Sequence, residues 1–333
     1  MSKLFILCLL LLAGCSQPEL VVIHGNTMGT TYSVKVVADD VDDVDEVALK
    51  AQIDARLVDI NNLMSTYIPD SELSRFNRAP VGEWFAISDE TMAVMQLAAE
   101  IATLSAGSFD VSVGPLVNLW GFGPNPGPDH VPAPEQIQAV LANIGFRHLS
   151  FKPGAMRRET DLYVDLSAIA KGYGVDQLAE LLSAQGLAHY LVEIGGELRA
   201  SGSNVRQEPW RIAVELPEAS QRAPYKVIEL QNMGMATSGD YRNYFEQDGV
   251  RYSHTIDPVD GYPIRHNTAS VTVLAPTTAR ADALATAVNV MGAERGLALA
   301  EAQGLAVFVI LKHPDGFEAR HSSAFAPYLT PQN

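Results

Sequence analysis

Between Val164 and Leu182, in "VDLSAIAKGYGVDQLAELL", the pattern of apolar and polar positions changes half-way. Val175, Leu178, Leu181 and Leu182 fall three and four apart with Asp176, Gln177 and Glu180 between them, which predicts an amphipathic helix. The first half differs: a carboxylate ends an apolar strand, and a run of very small residues follows, with Lys171 between an alanine and a glycine. Small residues let another group approach the backbone closely.

Helical spacing also predicts elements over Val47–Asn62, over Asp89–Ala106 with Gly107 as its C-cap, from Pro134, from Ser167 and from about Thr278. Alternation in "ELVVIHGNTMGTTYSVKVVA" predicts two strands meeting at a turn near Met28 and Gly29. Further strands are expected at Leu162–Leu166, Tyr190–Ile194, Arg211–Leu216, Lys226–Leu230, Ser270–Leu274 and Ala306–Leu311. "MSTYIPDSELSRFN" reads as a polar, Pro-broken connection. "SFDVSVGPLVNLWGFGPNPGPDHVPAP" reads as a structured loop, because it carries Phe109, Leu116, Trp120 and Phe122. Mixed helices and hairpins predict an α+β fold rather than a doubly wound parallel sheet.

With 333 residues, 47% of them hydrophobic, the chain has material for one large domain or two small ones. A formal charge of −16 argues against nucleic acid as a partner, since phosphate backbones require clustered Lys and Arg. The acidic run "DDVDDVDEV", Asp39–Val47, reads as a solvated loop entering a helix rather than a metal site. The N-terminus carries one Lys and then an apolar run from Leu4 to Ala13, too short to span a bilayer and suited to a signal peptide. It ends in "LLAGC", which resembles a bacterial lipobox, and that resemblance implies a lipidated Cys15 as the first mature residue. Cys8 and Cys15 are the only cysteines. The mature chain then has no thiol nucleophile, disulfide or Cys-ligated metal.

No P-loop, GxGxxG or GxSxG signature is present, and the eight histidines never fall in HExxH or HxxxH spacing. What remains is a series of Gly-punctuated polar segments: "MGTTYSV", "MSTYIPDSELSRFN", "GSFDVSVGPLVNLWGFG", "DLSAIAKGYGVD", "VEIGGELRASG", "TSGDYRNYF", "YSHTIDPVDGYPI" and "TTARADALATAVNVMG". Together and in this order they resemble the ApbE family of FAD:protein FMN transferases, from about Val22 to Phe308. The resemblance implies an ApbE-like fold with mixed and antiparallel sheets, packed helices and two subdomains around a flavin cleft. It implies a signal peptide over 1–14, an anchored linker over 15–20 and one transferase domain over 21–330. FAD is expected as substrate, with Mg²⁺ assisting cleavage of its diphosphate. FMN then passes to a Ser or Thr hydroxyl and AMP leaves. The expected acceptors are flavin-carrying subunits of membrane redox pumps, NADH:quinone reductases or Rnf-type complexes, at the periplasmic side of a bacterial membrane. Those acceptors favour the inner membrane, although Ser16 after Cys15 leaves the outer membrane open.

Residue chemistry fits this implication. Asp282 and Thr286 are four apart on a predicted helix, so their oxygens project from one face as a hard cation requires. Asp282 alone also reads as a helix N-terminal charge. The resemblance makes Asp282 and Thr286 metal ligands, joined by the backbone carbonyl of Ala168. It makes Asp165 and Lys171 FAD contacts, although other members often carry Glu at the Lys171 position. Ser167 is expected to cap the helix, and the Ala168–Gly174 run to let backbone approach the ligand, with the helix N-terminus favouring phosphate. Met28 and Tyr67 are expected to pack on the flavin. Ser108, Phe109 and Asp110 form a further binding segment. Gly195 and Gly196 are expected to permit close approach, and Ile256 to touch the cofactor. His254 is the candidate base for the acceptor hydroxyl. An FAD diphosphatase, in which water replaces that hydroxyl, would use the same metal site. A non-catalytic FAD-binding lipoprotein is the alternative from another class.

Overall fold

The computed structural model describes residues 18–38, 44–123, 131–218, 223–239 and 244–329. The predicted signal peptide, Cys15 and most of the acidic run lie outside these residues.

In chain order the strands are β1 (Glu19–Thr27), β2 (Thr30–Ala38), β3 (Phe85–Ala86), β4 (Leu149–Lys152), β5 (Ala155–Arg158), β6 (Tyr190–Ile194), β7 (Glu197–Ser201) and β8 (Trp210–Glu215). They continue as β9 (Pro224–Leu230), β10 (Met233–Gly239), β11 (Tyr244–Gln247), β12 (Val250–Ser253), β13 (Thr268–Ala275), β14 (Ala306–His313) and β15 (Gly316–His321). The helices are α1 (Glu46–Met64), α2 (Glu72–Arg78), α3 (Asp89–Leu104), α4 (Gly114–Leu119), α5 (Pro134–Leu141), α6 (Ala170–Ala184), α7 (Thr278–Met291) and α8 (Ala293–Gln303). β1 starts at Glu19, so the last two residues assigned to the linker already belong to the sheet.

One sheet of eight strands, ordered β1-β2-β6-β7-β10-β13-β14-β15, organises the molecule, and each neighbouring pair in it is antiparallel. Its central strands are covered on both sides. In β14, Val307, Val309 and Leu311 join the cluster under α7, while Ala306, Phe308 and Ile310 join a second cluster with Trp210, Ile228 and Phe325. A strand buried on both faces reads as an unbroken apolar run, and "AVFVIL" is one. On the helical face α7 packs on β10 and β13 and against α3, α6 and α8. Its alanines let it sit this deep. α1 and α6 cover the β1, β2 and β6 end through Ile53, Leu57, Leu178 and Leu182.

The first hairpin forms as predicted. Met28 (φ 49°) and Gly29 (φ 72°) both take positive φ, the conformation that a tight two-residue turn between right-twisted strands needs. α3 ends where Ala106 and Gly107 turn left-handed, again as predicted.

Four expectations fail locally. The stretch read as a structured loop from Ser108 contains a helix, α4, with Pro115 in its first turn. Leu162–Leu166 is not a sheet strand: Tyr163 makes one isolated bridge with Val113. Its backbone is instead satisfied by the Asn77 side chain, which both donates to and accepts from Val164 at 2.8 Å. "MSTYIPDSELSRFN" is not wholly a connection, because Ser71 caps α2 by accepting from Ser74 N–H. Ser167 does not cap α6, which starts at Ala170 with no side-chain cap. The Asp165 carboxylate takes Ser167's N–H (2.8 Å) and hydroxyl (2.5 Å) in a local turn, which uses up the would-be cap.

Candidate active site

The site begins where α6 crosses the start of α7. A Cβ placed on Gly172 would stand 2.5 Å from the carbonyl oxygen of Thr278 and 2.8 Å from Cα of Ala279. The small run of α6 therefore admits another helix at this point, rather than a ligand as its sequence suggests. Next door, a Cβ on Gly174 would meet the Met28 side chain at 3.1 Å. Asp176, which the helical pattern puts on a polar face, is 5% exposed. Its carboxylate accepts the N–H groups of Thr278 (2.8 Å) and Ala279 (2.9 Å) and pairs with Arg199 at 2.6 Å. It thereby caps α7 from a neighbouring helix and fixes the rotation of α7.

That rotation turns Asp282 inward. Asp282 is 5% exposed, and its Oδ2 accepts the Gly172 N–H at 3.0 Å. Burial raises its carboxyl above the ordinary range, while Lys171 and the Gly172 N–H pull the other way. Because the Gly172 N–H is diverted to Asp282, the Ala168 carbonyl accepts no backbone hydrogen bond among the described residues. Thr286 stands one turn further along α7 and faces the same cavity as Ala168 and Asp282. No cluster of three His, Cys, Asp or Glu among the described residues offers a metal site. One carboxylate, one hydroxyl and one released carbonyl nevertheless fit Mg²⁺, which takes few protein oxygens and fills its shell with water and substrate phosphate.

Lys171 reaches across this cavity floor to Glu197, Nζ to Oε1 2.7 Å, and the Glu197 side chain is 4% exposed. Burial works against the Lys171 charge, but Glu197 and then Asp282 outweigh it and leave the ammonium raised. Burial pushes Glu197 up to about 7, with Lys171 opposing and Asp282 adding to the rise.

The cavity holds about 400 Å³ and lies between the α6–α7 floor and an aromatic cluster built on Trp120, Tyr252 and Phe245. His254, Ile256, Asp165, Ser108, Phe109 and Asp110 all line it. The Phe122 ring meets the His254 ring edge-on at 6.4 Å. Ser108 Oγ is buried with no hydrogen-bond partner among the described residues, a polar atom left for a ligand. Asp110 is raised by burial, and its carboxylate is held by Ser112 N–H (2.8 Å) and hydroxyl (2.6 Å). A second chamber of about 600 Å³ shares Tyr67, Ser167 and Lys171 with the first and adds Met28. Tyr67 stands between the two, 69% exposed, a flat face offered to solvent. Gly195 and Gly196 line neither chamber. They form the β6–β7 turn with φ of 60° and 105°, and the close approach at Gly195 is by Thr30, 2.8 Å from a would-be Cβ.

The sequence profile of the ApbE family matches residues 28–309. The chain belongs to the ApbE family. A Vibrio cholerae relative named FAD:protein FMN transferase is 50% identical over 324 residues, covering 97% of each chain. A Haemophilus influenzae relative of the same name is 46% identical over 322 residues, covering 94% of this chain and 93% of its own. Among solved structures, the flavin transferase ApbE from Vibrio cholerae superposes with a TM-score of 0.87 at 47% identity, covering 94% of this chain and 100% of that one. The apo form of Pseudomonas stutzeri flavinyl transferase ApbE gives 0.88 at 42% identity, with 95% and 99% covered. The antiparallel sheet and packed helices are thus an ApbE fold.

Two ApbE residues of this chain escape a sequence reading. Glu197 sits inside "VEIGGELRASG", where the glycine pair draws attention away from it. Asp176 obeys helical periodicity and so looks solvated. The available signal was its position one turn beyond Gly172, on the side that α7 covers.

Proposed function

We propose that the chain is an FAD:protein FMN transferase, anchored by a lipidated Cys15 at the periplasmic side of a bacterial membrane. The observation that carries this reading is the single cavity onto which His254, Asp282, Thr286 and Lys171 all open. In the reaction, a Ser or Thr hydroxyl oxygen of the acceptor bonds to the phosphorus on the FMN side of FAD. The bond from that phosphorus to the bridging oxygen breaks, AMP leaves with that oxygen, and the hydroxyl proton passes to His254. Asp282, Thr286 and the Ala168 carbonyl would hold Mg²⁺, which when bound neutralises charge on the diphosphate. The Lys171 ammonium adds a fixed positive charge beside it, and Ser108 offers a spare hydroxyl. Met28 and Tyr67 offer polarizable faces to the isoalloxazine ring.

As acceptors we infer flavin-carrying subunits of membrane redox pumps, NADH:quinone reductase or Rnf type, in keeping with the proposed periplasmic anchoring. The test incubates the protein with FAD, Mg²⁺ and such a subunit. Equal amounts of AMP and of acceptor carrying an FMN-sized mass are expected. AMP without any modified acceptor rules the transferase reading out.

A further inference from the structure

Lys171 presents a difficulty for the cation site. It is a primary ammonium on a flexible four-carbon stem, and it opens onto the same cavity as the one carboxylate proposed to bind the cation. Its neighbour in sequence, Gly172, is hydrogen-bonded to that carboxylate. An ammonium this close would ordinarily turn to Asp282 and occupy the oxygen a divalent cation needs. It does not, because Glu197 holds it at 2.7 Å. Asp282 makes no ion pair among the described residues, and its Oδ1 accepts no hydrogen bond there. The Glu197 carboxylate has Lys171 as its one salt-bridge partner among the described residues, and its Oε2 is buried with no hydrogen-bond partner there. It stands at the start of β7, buried.

We propose that Glu197 is a positioning residue that retains the Lys171 ammonium and so keeps Asp282 open to the divalent cation. The inference rests on the reading of Asp282, Thr286 and Ala168 as cation ligands, and it concerns what guards them. The Lys171 side chain is 31% exposed, and once released from its partner the ammonium turns to a neighbouring carboxylate that shares the cavity. Without Glu197, Asp282 is the carboxylate acting most strongly on the ammonium, ahead of Glu193. The lysine then competes with the metal for one carboxylate, and cation affinity falls although no ligand has been touched.

The experiment measures Mn²⁺ binding to the full chain, without FAD, from the loss of the free-ion electron paramagnetic resonance signal. Glu197→Gln is near-isosteric and should weaken Mn²⁺ binding by about tenfold, within the range for directly coupled neighbours. Lys171→Met should bind as tightly as wild type or tighter. The deciding comparison is Glu197→Gln in the Lys171→Met background, which should change affinity less than about twofold, since there is no ammonium left to release. If the weakening persists in that background, Glu197 acts on the cation by its own charge and the inference is overturned. Wild-type affinity in the single Glu197→Gln variant overturns it equally. Should Glu197→Gln fail to fold, Glu197→Asp takes its place, with a smaller weakening that also vanishes beside Lys171→Met. Asp282→Asn separates the two levels: if it leaves Mn²⁺ binding intact, the cation site itself is misplaced and the proposal falls with it.

Discussion

Replacing Gly172 with alanine sets two physical effects against each other. Helix propensity alone says the change stabilises α6, by up to about 1 kcal/mol for an interior position. Packing says the opposite. The new methyl would lie 2.5 Å from Thr278 O, 2.7 Å from Thr278 C and 2.8 Å from Ala279 Cα, roughly 0.9 Å inside ordinary contact at 3.4 Å for the nearest of them. All three are backbone atoms of the α7 start, which Asp176 also holds and against which Gly234 packs closely on another side, so no rotamer change relieves the clash. Overpacking of this kind costs about 1–3 kcal/mol. If the helices spread, the Gly172 N–H to Asp282 bond goes too, at about 1.5–3 kcal/mol for a bond to a charged group. The net expectation is a loss of about 2 kcal/mol or more, a fall of several degrees in melting temperature. Magnesium-dependent AMP release should fall further than stability does, because Asp282 moves with α7. Differential scanning calorimetry and an AMP assay on one preparation decide it. A Gly172→Ala protein that melts at or above the wild-type temperature would refute the close-crossing argument.

Asp176→Ala should destabilise by about 3 kcal/mol, since it strands the Thr278 and Ala279 N–H groups and Arg199 while Thr277 still caps Arg280; thermal melting checks this, and Asp176→Asn should lose less. His254→Ala should retain FAD binding and melting temperature but lose flavin attachment by about a hundredfold or more, the usual contribution of a positioned base; full attachment in a stable variant would remove His254 from that role. Cys15→Ala should yield protein that is neither acylated nor processed at that point, read by mass spectrometry of the membrane fraction.

The sequence was legible wherever one local rule governed one element. The β1–β2 turn needed only left-handed positions at Met28 and Gly29. The Asp282–Thr286 spacing needed only one helix turn, and both residues open onto the cavity. Legibility failed where a distant group supplied the partner. Leu162–Leu166 has a strand's alternation, but Asn77, remote in sequence, satisfies Val164, and the segment never joins a sheet. Asp176 has a solvated residue's place in the helical pattern, yet α7 comes to rest on it. The small run at Ala168–Gly174 announces close approach without saying by what. At Gly172 it is α7, at Gly174 it is Met28, and Ala168 itself lines the cavity.

The central claim is that the diphosphate of FAD is opened by an acceptor hydroxyl rather than by water, and oxygen isotopes test it most directly. The reaction is run with FAD, Mg²⁺ and a flavin-carrying acceptor subunit in ¹⁸O-labelled water, and the products are weighed. Direct transfer predicts an acceptor heavier by one FMN phosphoryl adduct and an AMP product, neither carrying a heavy oxygen, because every oxygen at both phosphorus atoms comes from FAD or from the acceptor. Heavy oxygen in AMP or in free FMN, with the acceptor unmodified, would contradict the account and make the cavity the site of a hydrolase.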